Sequence, residues 1–228
     1  MPAHLAIPDG EGPHPGLLII HEILGLTPQI HDVCARMAER GYATLAPDLF
    51  HRSSRMARCV VRALRELKRG HGAAFEDLEA ARLHLAKESC VDASRLGVMG
   101  FCMGGGFTVL LATRDPFRAA GVWYGDVPED VEAMRGSCPM VASFGARDRP
   151  LRGHGERLRR HLEVVEVAHD VKVYEQAGHA FGLPDAAPLI VRALGRVMGM
   201  NAGHVPEAAE DAWRRVDEFF AEHLLAAR

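Results

Sequence analysis

Short apolar runs alternate along the chain with longer stretches in which apolar residues recur at helical spacing. Leu17-Leu18-Ile19-Ile20 reads as a buried strand, and residues 29–40 as an amphipathic helix closed by Gly41. Residues 43–47 form the next expected strand. Residues 75–87 place apolar and small residues at helical spacing between charges, and 96–99 return to strand character before a glycine-rich turn and a small-residue helix over 106–113. The rhythm continues with strands at 120–124, 140–144 and 171–174, a basic helix over about 152–165 and a closing helix over 206–225. Strand and helix in strict alternation imply an α/β fold: a mostly parallel sheet with helices on both faces, built as a single domain over 1–228. Two stretches fit the pattern least, 52–71 and 182–203, and both are expected to be covers over a site.

Composition changes this picture little. Apolar residues make up 48% of the chain and charged residues 25%, with a net charge of -3. This balance gives no pull toward nucleic acid. Residues 1–12 carry neither a basic nor an apolar leader segment, and no run is long enough to span a bilayer, so a soluble, cytoplasmic protein without membrane partners is expected. The five cysteines (Cys34, Cys59, Cys90, Cys102, Cys138) are odd in number and contain no CxxC pair. That suits reduced thiols, one of which could be reactive.

In an open α/β sheet the loops after the strands line the ligand crevice. Four such loops carry candidate chemistry. Gly100-Phe101-Cys102-Met103-Gly104 lies between a strand and a helix, the setting of a nucleophile elbow with cysteine in the serine position. Flanking side chains would collide in so tight a turn, which accounts for Gly100 and Gly104. The helix start would favour a thiolate, and the Met103 amide would face the oxygen of a tetrahedral intermediate. The plainer alternative is a small buried cysteine in a turn. His179 follows the last strand as a candidate base, and Asp148, in the loop after 140–144, is a candidate orienting acid or else a turn or cap residue. Nucleophile, acid, histidine is the α/β-hydrolase order. After the first strand, His21-Glu22-Ile23-Leu24-Gly25 is expected to supply a second oxyanion amide from Ile23. Glu22 is either an exposed loop carboxylate or an acid facing the thiol. His21-Glu22 lacks the second histidine of an HExxH helix, and neither a metal nor another cofactor is expected.

These segments, with Ala-Pro-Asp-Leu-Phe at 46–50, Gly-Ala-Arg-Asp at 145–148 and Gly-His-Ala-Phe at 178–181, are similar to the dienelactone hydrolase family across most of the chain. The resemblance implies a Cys102-His179-Asp148 triad with Glu22 controlling the resting thiol, and Ile23 and Met103 as oxyanion amides. It also implies that Arg52 binds a substrate carboxylate, and Phe50, Tyr124 and Phe181 are expected to line the substrate site. A second carboxylate-binding arginine of the family's best-studied branch is matched here by Leu183, and Ala180 replaces a common serine, so dienelactone itself is not implied. Residues 188–201, apolar at helical spacing, could cover the pocket, pack in the core or join a dimer. The implied partner is a small ester or lactone substrate, and the chain is expected to be either a monomer or a homodimer. The alternatives are a broader carboxylesterase or thioesterase on the same triad, a non-catalytic small-molecule binder, and a redox role for Cys102.

Overall fold

Strands whose side chains alternate between two covered faces need apolar residues at nearly every position, and this chain supplies them. The computed structural model describes residues 1–53, 55–114, 116–184, 193 and 195–226. Its strands are β1 (Ala3–Ala6), β2 (His14–Ile20), β3 (Ala43–Pro47), β4 (Val91–Phe101), β5 (Phe117–Trp123), β6 (Met140–Gly145) and β7 (His169–Tyr174). They form one seven-stranded sheet in the order β1-β3-β2-β4-β5-β6-β7. Every neighbouring pair is parallel except β1 with β3.

Alternation divides the core. Leu18, Ile20, Val98, Ala120 and Val122 face one side, which is covered by α2 (Met56–Arg69), α3 (Ala73–Leu85), α4 (Met103–Leu111) and α5 (His154–Val164). Leu17, Ile19, Met99, Ala119 and Trp123 face the other, beneath α1 (Pro28–Ala38) and α6 (Pro206–Phe220). The parallel strands β2, β4, β6 and β7 thus carry the chemistry-bearing loops to one end of the sheet.

Three expectations need correction. Residues 52–71 are largely a packed helix: Cys59, Ala63 and Leu67, four residues apart, are buried against the core. The helix expected over 106–113 begins at Met103, directly after Cys102. The short antiparallel strand β1 was not foreseen. Within 188–201, residues 188–192 and 194 lie outside the described residues, so the cover proposed there is not addressed by the fold. Among the described residues no helix is long and apolar enough to cross a membrane.

The closing helix is anchored by a buried cation. Arg215, on α6, donates to Asp170 Oδ2 (2.8 Å), Ser143 Oγ (3.0 Å), Tyr174 Oη (3.3 Å) and the carbonyls of Ala142 and Asp170. It joins α6 to the β6 and β7 edge from which the Asp148 and His179 loops depart. Removing the guanidinium strands several buried acceptors, so Arg215→Met should lower unfolding free energy by about 3 kcal/mol. Urea denaturation with an unchanged m-value is the measurement; a loss below about 1 kcal/mol would show that the network is not cooperative.

Candidate active site

Cys102 sits at the junction of β4 and α4 with φ 55° and ψ -115°, a conformation a non-glycine residue adopts only when its surroundings impose it. The imposition is visible in the backbone. A Cβ on Gly100 would collide with the Gly104 carbonyl, and one on Gly104 with the Ile20 carbonyl, so α4 starts in direct backbone contact with the end of β2. The Cys102 amide donates to Trp123 O (3.0 Å), and Gly106 N donates to Cys102 O (3.1 Å). The thiol is partly exposed. As the first residue of α4, Met103 has an N–H without an intrahelical acceptor.

Asp148 lies in the turn after β6 and is fully buried, with its amide bonded to Gly145 O. His179 lies in the loop after β7, and its Nδ1 is 2.6 Å from Asp148 Oδ2. The imidazole is 6% exposed. Its other nitrogen, Nε2, has no well-formed hydrogen bond among the described residues, and the Cys102 thiol is close enough to act on its protonation. Burial alone would depress the His179 pKa. The nearby Cys102 and the hydrogen bond with Asp148 outweigh burial and push it up to about 10.

The base is held in place by residues 199–203, from a stretch that the sequence suggested as a cover, a core helix or a dimer contact. His179 N donates to Met200 O (2.8 Å), Gly203 N to His179 O (3.1 Å), and Arg149 N to Gly199 O (3.1 Å). Asn201, at φ 45°, donates from Nδ2 to Arg147 O (2.8 Å). A Cβ on Gly178 would collide with the Asn201 carbonyl. The Gly-Met-Asn sequence at 199–201 was the available signal, since Gly and Asn are the residues that tolerate positive φ.

His21 ties the first loop down. Fully buried, it accepts a hydrogen bond at Nε2 from the Leu49 amide (3.1 Å), so the neutral ring carries its proton on Nδ1 and donates to Glu22 O (2.7 Å). Its ring meets Phe50 edge-on at 4.8 Å. Half-buried Glu22 extends from this loop. Burial raises its carboxyl pKa, and the charge of His179 opposes that rise. Ile23 is partly buried in the same loop.

The remaining expected site residues are more dispersed. Arg52 forks onto Asp77 through Nε (2.9 Å) and a terminal nitrogen (2.5 Å), so much of its charge is already balanced. Phe50 is nearly buried, and Leu183 is buried and uncharged. Phe181 is fully buried in an aromatic cluster with Trp123, Tyr124 and Tyr174, a packing position behind His179. Tyr124, also fully buried, has its ring 5.0 Å from that of His179.

Cys102 thus lies at a strained strand-to-helix turn, and His179 and Asp148 form a buried pair. Residues 1–224 match the dienelactone hydrolase family model. The chain belongs to the dienelactone hydrolase family. It is 30% identical, over 99% of its length and 78% of the relative's, to a protein of Methylorubrum extorquens AM1 named as a candidate carboxymethylenebutenolidase. It is 26% identical to the carboxymethylenebutenolidase of Rhodococcus opacus, covering 91% of this chain and 81% of that one. Among solved structures, a candidate dienelactone hydrolase from Klebsiella pneumoniae superposes with a TM-score of 0.72 at 28% identity, covering 97% and 93% of the two chains. A dienelactone hydrolase-like promiscuous phosphotriesterase from metagenomic libraries superposes at 0.81 with 22% identity, again over 97% of this chain and 92% of the other, a likeness of fold. The protein is thus a hydrolase of this family with an α/β-hydrolase fold.

The raised His179 pKa depends on its neighbours, which makes it measurable. In Cys102→Ala and in Asp148→Asn, the histidine should titrate at least one unit lower than in the wild type, because each change removes a group that favours the imidazolium. Nitrogen-resolved NMR titration of labelled histidine reads this directly. An unchanged titration in both variants would show that neither group governs the imidazole.

Proposed function

We propose that this enzyme hydrolyses a small ester or lactone through a covalent thioester on Cys102. The Cys102 Sγ attacks the carbonyl carbon, and the π pair moves to oxygen, where the Ile23 and Met103 amides accept it as hydrogen-bond donors. When the pair returns, the bond to the leaving oxygen breaks and His179 delivers its proton there. Water then attacks the thioester with His179 as base, and the acid and thiol are released. Asp148 holds the imidazole in the tautomer that presents Nε2 to the reaction. Glu22, its carboxyl pKa raised by burial, takes or returns the thiol proton in the resting site. The observation that carries this reading is the His179–Asp148 pair at 2.6 Å beside a cysteine held at positive φ.

A thiolate leaves a tetrahedral intermediate more readily than an alkoxide does. A leaving oxygen stabilised as an enolate corrects that imbalance, which favours enol lactones of the kind named for the relatives. A second reading, a broader carboxylesterase or thioesterase, is favoured by two observations: Arg52 is paired with Asp77, and Leu183 offers no charge to a substrate carboxylate. On either reading Cys102→Ala should lose at least about 10³-fold in kcat/KM. A panel of carboxylated enol lactones, uncharged butenolides, aryl esters and acyl thioesters, run on wild type, Cys102→Ala and Arg52→Ala, checks this. A selective rise in KM for carboxylated substrates in Arg52→Ala assigns that residue to substrate. Equal effects on charged and neutral substrates leave it with Asp77 and support the broader specificity. Retained activity in Cys102→Ala would refute the cysteine mechanism.

A further inference from the structure

Tyr124 combines two features that cost stability and that packing alone does not require. It follows β5 with φ 40°, although it is a bulky side chain for which positive φ is a genuine outlier. Its amide donates to Ser143 O (2.8 Å), which fixes that backbone, and its ring is wedged between His179 at 5.0 Å and Phe181 at 5.7 Å. The hydroxyl, fully enclosed, has no hydrogen-bond partner among the described residues. Phenylalanine would fill the same space without stranding a polar group. Strain and an orphaned donor together, beside reacting groups, point to a role in the reaction rather than in the fold.

The chemistry around the hydroxyl narrows that role. Burial, and then the charges of Glu22 and Cys102, hold the phenol pKa well above its ordinary value, so Tyr124 keeps its proton and can only donate to an anion. The ring contact places the phenol: its centroid is 5.0 Å from that of His179, the base of the proposed reaction. We propose that Tyr124 is a further catalytic residue, its hydroxyl donating a hydrogen bond to the substrate oxygen that becomes negative when Cys102 attacks. This rests on the cysteine mechanism proposed above. As the Sγ–C bond forms and the carbonyl π pair moves onto oxygen, the phenol contributes a third donor beside the Ile23 and Met103 amides, retaining its proton throughout. A donor without a partner in the resting site can close on its acceptor in the complex.

The test compares wild type with Tyr124→Phe, using phenyl trifluoromethyl ketone as probe. Attack by Cys102 on its carbonyl gives a reversible hemithioketal whose oxyanion stands in for the transition state. The affinity of Tyr124→Phe for this probe should fall about 10- to 100-fold. Its unfolding midpoint should be unchanged or higher, because an unsatisfied buried hydroxyl has been removed, and the pH profile of Cys102 alkylation by iodoacetamide should not move. An affinity within about threefold of wild type overturns the proposal. So does a fall in affinity matched by a lower unfolding midpoint, which would make the hydroxyl structural, or a displaced alkylation profile, which would assign it to the resting thiol. Absence of any adduct in the wild type would instead remove the cysteine mechanism on which the proposal stands.

Discussion

The end of β2, the start of α4 and the last turn of β4 share a space too small for side chains, and most of the site follows from that contact. With glycine at 100 and 104, the first turn of α4 rests on the Ile20 carbonyl, and the only way for the chain to leave β4 is through a strained Cys102. That geometry leaves the thiol partly exposed and makes Met103 the first residue of α4, with its N–H free of an intrahelical acceptor. It also brings the β2 loop, with Glu22 and Ile23, within reach of the same point. A single backbone contact thereby joins the Cys102 turn to the strand that leads into the Glu22 and Ile23 loop, the placement on which the proposed mechanism relies.

The second layer of the site is electrostatic. Burial is what gives each group its character: it lifts the Glu22 carboxyl, holds His21 neutral so that it bridges two loops, and keeps the Tyr124 phenol protonated. His179 alone moves against the trend of its burial, because Cys102 and Asp148 both favour its charged form. The strap from residues 199–203, bonded to the backbone of His179, Arg147 and Arg149, holds the base and acid loops together without contributing a reacting group.

Much of this was legible in the chain. The central strands announce themselves as continuous apolar runs because both faces of a parallel sheet are buried, and chemistry placed after them could be sought by position. The order Cys102, Asp148, His179 was readable for that reason, although their contact was not. What escaped was of three kinds. Strand β1 is only four residues long at the sheet edge, with half of them exposed, so it leaves almost no pattern. Helix α2 carries so many arginines that its buried stripe of Cys59, Ala63 and Leu67 was outweighed by polarity. Partnerships across the fold, such as Arg52 with Asp77 and Asn201 with Arg147, depend on tertiary contact and have no local signature.

The claim on which the rest turns is that Cys102 becomes covalently acylated during turnover. Wild-type enzyme mixed with an activated aryl ester, quenched in acid within the first turnover and digested for peptide mapping, tests it most directly, since acid preserves a thioester. The account predicts one acyl group per chain, carried on the peptide containing Cys102 and appearing in a burst with the released phenol. An acyl group on another residue, or steady turnover with no acylated peptide at any time, would contradict it.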